Sequence, residues 1–169
     1  MIEFIKVRNV KDPIRDASEN AGIDFFIPEV DAFFLDEAYK FGDKVEIDIN
    51  AGTMTILPHG DVIIPSGIKS KFPNNLALVA YNKSGIATKK KLVVGAQVID
   101  ASYHGEWHLH LINTSDEPQT IEFGQKIVQF IPQVIDTSDI VMSTQSEEEF
   151  YAGVESKRKD GKFGSTGLV

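Results

Sequence analysis

The sequence predicts an all-β protein, either a barrel or a sandwich, and three observations support that class. Short apolar and β-branched runs, such as TMTILP (53–58) and LALVAYN (76–82), recur between Pro, Gly and Asn. After Gly105 the apolar residues Trp107, Leu109 and Leu111 alternate with polar ones, which is the period of a strand with one buried face. The chain of 169 residues, 42% of them hydrophobic, is long enough for one domain with a substantial core.

The composition excludes several classes of function. There is no cysteine, so neither a disulfide framework nor a thiolate zinc site is available. A net charge of −8 argues against a nucleic acid partner, although a small anion needs only a few local donors. The apolar runs are too short to cross a membrane and the N-terminus lacks a signal pattern. We therefore expect a soluble, cytoplasmic protein with no membrane partner.

The first half of the chain reads mainly as strands. Residues 1–10 alternate and predict a first strand, and AGIDFFIP (21–28) predicts a second that carries one acid, Asp24, in an apolar surround. Residues 29–48 combine acidic and aromatic side chains, and their periodicity does not decide between a short helix and a hairpin. The runs 53–58, 61–73 and 76–82 then predict further strands.

The second half is organised around GAQVIDASYHGEW (95–107). Ser84-Gly85 and a short helical turn at 86–91 precede it. The stretch itself predicts two strands joined by a turn, with Asp100 and Tyr103 where the hairpin opens. A further strand is expected at 126–135, and Ser146 followed by Glu149 has the pattern of a helix capping box. The last dozen residues predict a mobile arm.

Three groups of residues are candidates for chemistry, each with a simpler alternative. The arm combines glycines with hydroxyls and Arg158, which suits a flap that closes over a polyphosphate, or else a solvent-exposed tail. KSGIA (83–87) offers amides to an anion, or is an ordinary helix start. His108 and His110 share one face of a strand with Glu106 beside them, but a metal site there lacks further ligands, so a polar face is favoured.

Five motifs in order give the chain a resemblance to a known family. AGIDFF (21–26), NKSGIA (82–87), GAQVIDASYHGEW (95–107), GQKIVQF (124–130) and RKDGKFGSTG (158–167) look like the five motifs of the homotrimeric dUTPase family, the dUTP diphosphatases. The resemblance implies a jelly-roll-like β-barrel with one or two short helices. It also implies one domain over residues 1–157, with residues 158–169 as an arm that closes the active site of a neighbouring subunit.

The resemblance further implies hydrolysis of dUTP to dUMP and pyrophosphate, which limits uracil in DNA and supplies dUMP. Asp100 would be the general base that activates water against the α-phosphorus, and Tyr103 would lie under the deoxyribose. Asp24 would reach Mg²⁺ through a metal-bound water. The other implied substrate contacts are Gln97 and Ile99 for the base, Lys83, Ser84, Gly85 and Gln129 for the phosphates, and Arg158, Phe163, Gly164, Ser165 and Thr166 in the arm.

The chain departs from the family pattern at several positions. Lys83 stands where an Arg is usual, which gives a point charge in place of a bidentate fork. Gln97 replaces a usual Gly beside the base, and Ser102 replaces a frequent second acid. Residues 29–50 form an insertion whose aromatic side chains either pack on the barrel, the favoured interpretation, or bind a protein partner.

Two other functions compete with this one. The dCTP deaminase branch has the same fold and a similar hairpin. It places a catalytic Glu where this chain has His110, and an Arg where this chain has Ile86-Ala87. A non-catalytic, regulatory protein of the same fold is the second alternative. Because His110 is a poor substitute for that Glu, the deaminase is not favoured, and the intact Asp100, Tyr103 and FGSTG (163–167) argue against the non-catalytic protein.

Overall fold

The computed structural model describes residues 1–155, which form an antiparallel and mostly β fold. Strands form where the sequence alternates or is rich in β-branched residues, and the helices that begin at Ala32 and Glu147 follow the capping side chains of Asp31 and Ser146. In chain order the elements are β1 (Glu3–Lys6), β2 (Ile23–Phe26), α1 (Ala32–Phe41), β3 (Asp43–Asp48), β4 (Thr53–Pro65), β5 (Ile68–Lys71), β6 (Leu76–Asn82), α2 (Ser84–Lys90), β7 (Leu92–Val94), β8 (Val98–Asp100), β9 (His108–Asn113), β10 (Gln119–Glu122), β11 (Lys126–Val134) and α3 (Glu147–Phe150).

The strands of residues 1–155 form three sheets. One has the order β10-β4-β9-β7 with β3 also paired to β4, the second has the order β2-β11-β6-β8, and β1 pairs with β5. The sheets do not close on themselves, but two antiparallel layers around one core are a jelly-roll-like arrangement. The all-β prediction is therefore confirmed. The described residues contain three helices, one more than the sequence predicted.

The structure corrects the predicted hairpin at 95–107. Its two strands do not pair with each other: β8 pairs with β6 in one sheet, while β9 pairs with β4 and β7 in the other. The chain therefore leaves β7 and crosses between the sheets before β8. A second correction concerns residues 53–65, which form the single long strand β4 and bend at His59, whose φ is 56°.

The core is centred on a cluster of aromatic rings. Trp107 is fully buried, as its alternation predicted, and stacks on Phe25 with ring centroids 5.2 Å apart. Phe130 packs against both rings at 4.8 Å, and Phe4 meets Trp107 edge-on at 5.7 Å. Because Trp107 precedes β9 directly, this cluster anchors the polypeptide that follows the Asp100 turn.

The insertion at 29–50 is a helix followed by a strand. Asp31 caps α1 by accepting a hydrogen bond from the Phe34 backbone N–H at 2.8 Å. Phe34 and Ala38 are fully buried against the barrel, whereas Phe33, Tyr39 and Phe41 are about half exposed. The favoured interpretation, packing on the barrel, therefore holds for Phe34, and the other aromatic side chains lie at the surface.

A buried ion-pair network connects α1 to the segment after the Asp100 turn. Arg8, only 10% exposed, donates two hydrogen bonds to Glu106 at 2.8 and 3.1 Å and one to Asp31 at 2.6 Å. Its guanidinium also lies 4.2 Å from the centroid of the Phe33 ring. Burial lowers the pKa of Arg8, but the hydrogen bond and charge of Glu106, together with Asp31, raise it above its ordinary value. Arg8 therefore stays charged and holds both carboxylates.

The chain divides into two compact units, residues 1–136 and 137–169. The described part of the second unit contains α3, which begins with the predicted capping box between Ser146 and Glu149. The single domain over residues 1–157 stays a prediction, and residues 158–169 lie outside the described part of the chain. In residues 1–155 no helix has the length and hydropathy that a membrane crossing requires.

Candidate active site

Asp24 is a buried acid held between two lysine ammonium groups. It lies in β2, whose four residues are all buried, and it is only 6% exposed. One carboxylate oxygen contacts Lys83 Nζ, and the other lies 3.2 Å from Lys126 Nζ. Two cations compensate the cost of burying this charge. The arrangement places two cations at one carboxylate, in a chain whose net charge is −8.

Lys126 is a site candidate that the sequence analysis did not single out. Its Nζ also lies 2.7 Å from Asp16 Oδ2. The hydrogen bond to Asp16 raises the pKa of Lys126, burial opposes this more weakly, and Asp24 adds to the increase. The available signal was its position in the GQKIVQF motif, three residues before Gln129.

Gln129 connects β11 to the loop that precedes α2. It pairs with Asp24 on one side and Tyr81 on the other, so it lies between the two neighbouring strands. Its Nε2 donates to the Asn82 carbonyl at 2.9 Å, and the side chain covers Gly22, where a Cβ would overlap the amide. The sequence predicted a phosphate donor at Gln129; the structure shows one amide hydrogen bonded to the loop, and the role toward phosphate stays a prediction.

The start of α2 presents small residues to solvent. Lys83 is the N-cap residue, and no side chain of residues 1–155 caps this end of the helix. Ser84 and Gly85 are exposed, and a Cβ on Gly85 would meet nothing within 4 Å. An anion can therefore approach the backbone amides closely, beside the Lys83 ammonium.

Asp100 ends β8 at an exposed tight turn. The Tyr103 backbone N–H donates to the Asp100 carbonyl at 3.0 Å, and the Tyr103 hydroxyl donates to the Glu106 carbonyl at 3.0 Å. The tyrosine ring folds over Gly105, where a Cβ would overlap it. This turn leaves both the Asp100 and the Tyr103 side chains exposed at the surface.

Strand β8 carries a free backbone edge at Val98. Among the strands of residues 1–155 it is the last of its sheet and pairs only with β6, where the Ala80 N–H donates to the Gln97 carbonyl at 2.7 Å. Bonded and non-bonded pairs alternate along antiparallel strands, so the next pair, Val79 and Val98, is non-bonded. The N–H and C=O of Val98 therefore point away from β6. The sequence predicted a base-reading backbone around Gln97 and Ile99, and the free groups belong to the residue between them.

Asp24 and Asp100 are far apart within one chain. The order β2-β11-β6-β8 separates their strands by three spacings, and the register places Asp24 opposite Gln129 and Tyr81 but Asp100 opposite Ala77. At roughly 4.8 Å per spacing and 3.3 Å per residue, the separation is about 20 Å. The structure thus brings together Asp24, Lys83, Ser84, Gly85 and Gln129, and separately Gln97, Ile99, Asp100 and Tyr103.

The donor set at Asp24 suits an indirectly bound magnesium ion. Within residues 1–155 no three His, Cys, Asp or Glu side chains are grouped to hold a metal. Mg²⁺ prefers phosphate and water oxygens and needs few protein ligands, so a single carboxylate fits contact through a coordinated water. His108 and His110 instead face Glu37, at 3.3 Å, and Asp61, at 2.7 Å, as expected of a polar strand face.

The predicted contacts of the arm, Arg158, Phe163, Gly164, Ser165 and Thr166, lie outside the described residues. The dUTPase family model matches residues 46–167 of the sequence, and this range includes the arm positions. That match begins after α1, so Asp24 precedes it.

The chain is similar to curated proteins over most of its length. It is 34% identical over 122 residues to the deoxyuridine 5'-triphosphate nucleotidohydrolase of Arabidopsis thaliana, covering 72% of this chain and 69% of that protein. It is also 34% identical over 138 residues to the protein of the same name from Actinobacillus pleuropneumoniae serotype 3, covering 77% and 85%.

Solved structures share the fold. The dUTPase of Staphylococcus bacteriophage 80alpha with dUpNHpp matches with a TM-score of 0.74 and 20% identity over 99% of both chains. A point mutant of the dUTPase from phage phi11 of S. aureus, described with a structural Mg(II) ion, matches with a TM-score of 0.65 and 19% identity over 87% of this chain and 99% of that one. At these identities the likeness concerns the fold alone.

Proposed function

The chain belongs to the dUTPase family, and from that membership and its site we infer that it hydrolyses dUTP to dUMP and pyrophosphate. The observation that carries this inference is the position of Asp100, an exposed carboxylate two residues beyond the free backbone edge of Val98. One short segment can therefore bind a nucleobase and activate a water molecule. The reaction removes dUTP as a source of uracil in DNA and supplies dUMP.

Uracil matches the edge of β8 chemically. The N3–H of uracil lies between two carbonyl oxygens, and the backbone N–H and C=O of Val98 can bond to the O4 and N3–H groups together. Cytosine has an amino group at C4 and no proton on N3. The Val98 N–H would therefore face the amino group, donor against donor, and the Val98 C=O would face N3, acceptor against acceptor. A polar site that pairs with only one of two bases discriminates strongly against the other.

Asp100 acts as the general base. It accepts a proton from a water molecule, whose oxygen attacks the α-phosphorus, and the bond from that phosphorus to the bridging oxygen breaks to release pyrophosphate. Such a base contributes typically 10²–10⁴-fold to the rate. Tyr103 follows in the same turn, held by the bond from its hydroxyl to the Glu106 carbonyl, and this supports its role under the deoxyribose. Most of the remaining barrier is lowered by positioning and by neutralising phosphate charge.

The phosphates are bound at the start of α2. Ser84 and Gly85 offer backbone amides, and Lys83, Lys126 and Gln129 offer side-chain N–H groups. Asp24 would hold Mg²⁺ through a water molecule, and the ion, when bound, would supply further neutralisation of the triphosphate charge. Lys83 and Lys126 both contact Asp24, so two ammonium groups lie beside the start of α2, where phosphate oxygens would bind.

Each active site is shared between subunits of a homotrimer. The separation of about 20 Å between Asp24 and Asp100 supports this, because a coordinated water extends the reach of a carboxylate by only about 4 Å. Asp100 of one subunit therefore serves the phosphates bound by its neighbour. The arm residues Arg158 and Phe163 to Thr166 close over the nucleotide from a further subunit, which accords with a family match that extends to residue 167.

Deamination of dCTP is not favoured. In that reaction an acid or base must exchange protons at C4 of the base, at the position of His110 in this chain. Both ring nitrogens of His110 are already bonded, Nε2 to Asp61 at 2.7 Å and Nδ1 to the Ala96 N–H at 3.1 Å. The ring therefore has no free nitrogen for the chemistry.

The test is product release from the four deoxynucleoside triphosphates and dUTP, with and without Mg²⁺. We expect pyrophosphate and dUMP from dUTP with Mg²⁺, and no ammonia from dCTP. Ammonia release from dCTP, or an inert dUTP, would refute the assignment. A protein partner at the exposed aromatic residues of 29–50 stays a prediction; pull-down with and without that insertion, at unchanged pyrophosphate release, tests it.

A further inference from the structure

One residue, His110, bonds both backbone amides at the point where the chain changes sheets. The Gly95 N–H donates to the His110 carbonyl at 3.0 Å, which ends the pairing of β7 with β9. The Ala96 N–H donates to His110 Nδ1 at 3.1 Å. The next residue, Gln97, already bonds β6. The start of β8 is thus set by one side chain from the opposite sheet.

The imidazole is itself fixed. Because Nδ1 accepts the Ala96 N–H, the ring proton is on Nε2 and is donated to Asp61 Oδ2, 2.7 Å away. The second oxygen of Asp61 accepts the Asp43 N–H at 3.1 Å, so the carboxylate is held as well. Both side chains are mostly buried, with 21% of His110 and 28% of Asp61 exposed. A carboxylate bonded to one ring nitrogen fixes the tautomer and the orientation of the other.

The absence of a side chain at Gly95 makes room for this ring. A Cβ on Gly95 would overlap the His110 imidazole, so the ring can reach the Ala96 amide only across a glycine. The three residues Asp61, His110 and Gly95 come from β4, β9 and the crossing segment. Their mutual fit has no role in the core, which is centred on Trp107 on the other face of β9.

We propose that His110, oriented by Asp61, is a positioning residue of the active site that sets the place of β8. By fixing Ala96 it fixes the Val98 edge two residues on and Asp100 four residues on. This proposal rests on the proposed function. The proposal extends that function because base recognition by Val98 and in-line attack by the water at Asp100 both fail when these groups move by a fraction of an ångström.

Two variants each keep only one of the two hydrogen bonds that the imidazole makes, the one at Nδ1 or the one at Nε2. His110→Asn places a carboxamide oxygen near the position of Nδ1, so it can accept the Ala96 N–H but does not reach Asp61. His110→Gln places its amide near Nε2, so it can donate to Asp61 but offers Ala96 no acceptor. We expect H110N to keep the KM for dUTP within about threefold of the parent, and H110Q to raise it about tenfold, the effect of one hydrogen bond.

The preference for dUTP over dCTP, measured as the ratio of kcat/KM, should fall with H110Q and not with H110N. A purely structural role would lower the active fraction equally for both substrates and leave KM unchanged. Equal KM values and equal preferences for the two variants would overturn the proposal. Gly95→Ala, which displaces the ring without altering it, should reproduce the H110Q result.

Amide hydrogen exchange provides a readout that does not depend on turnover. Ala96 should exchange faster in H110Q and G95A than in the parent, and stay protected in H110N, while the β4 amides change little. Equal protection in all variants would overturn the positioning role even if dUTP is the substrate. A parent protein that leaves dUTP intact would refute the proposed function, and the exchange measurement would still decide the role of His110.

Discussion

Subunits that each carry one defective half of the site should restore activity to one another. Asp24→Asn damages the phosphate side and Asp100→Asn removes the base, and the register separates the two carboxylates by about 20 Å within a chain. If each site takes Asp24 from one subunit and Asp100 from the next, a trimer that contains both kinds of subunit always has one intact site in three.

The magnitude follows from the symmetry of a closed ring. Trimers of mixed composition, isolated by two different affinity tags, should show about one third of the parental kcat per subunit, and an unfractionated equal mixture about one quarter. The assay is pyrophosphate release at saturating dUTP and Mg²⁺. Homotrimers of each variant, and a mixture of preformed homotrimers that cannot exchange, provide the baseline.

An absence of complementation would refute the shared active site. If mixed trimers are no more active than the two homotrimer baselines combined, both carboxylates serve the same site from one chain, and the interpretation of the register is wrong. A monomeric protein with full activity would have the same meaning. Recovery of one third of the parental kcat per subunit would establish both the trimer and the division of each site between two subunits.

Four further predictions concern single changes. Asp100→Asn alone should lower kcat about 10²–10⁴-fold in a pyrophosphate assay while the melting temperature is kept, because the carboxylate is exposed and only its basicity is lost; retention of near-normal rates would contradict its role. Arg8→Met should lower the free energy of unfolding by about 3–5 kcal/mol in a urea titration, since it leaves the mostly buried Glu106 carboxylate without its cation. Phe34→Ala should cost about 3–5 kcal/mol, while Phe33→Ala, at 47% exposed, should cost clearly less; equal losses would mean that α1 is not packed as described. A chain that ends at residue 157 should keep its circular dichroism spectrum and lose activity, and an active truncation would remove the arm from the mechanism.

The charge distribution explains how an acidic protein can bind a triphosphate. The net charge of −8 disfavours a polyanion at long range, but screening confines that repulsion to about 10 Å in ordinary buffers. At short range Lys83 and Lys126 face the same carboxylate, so two cations are already gathered at one place. We expect the substrate phosphates to bind beside these two cations, and we expect weak Mg²⁺ binding in the absence of nucleotide.

Several features were determined by the sequence because they depend on neighbours within a few residues. The alternation after Gly105 placed Trp107 in the core and the two histidines on the outer face, and both assignments hold. The Ser146–Glu149 capping box begins α3 because its two reciprocal bonds are local. The order of the motifs likewise identified the family without any tertiary information, whereas the roles of Asp100 and Tyr103 stay predictions.

Other features were decided only by tertiary structure, because they arise from competition between segments distant in the sequence. The apolar pattern of 92–100 suits either sheet, and the pairing of β8 with β6 depends on partners that lie about twenty residues earlier. Asp24 has no cationic neighbour along the chain, yet Lys83 and Lys126 meet at it because β2, β11 and the loop before α2 converge. His110 gives no local sign that it bonds Asp61 and Ala96. Local periodicity fixes which face a side chain takes, whereas strand order and register decide what it meets there.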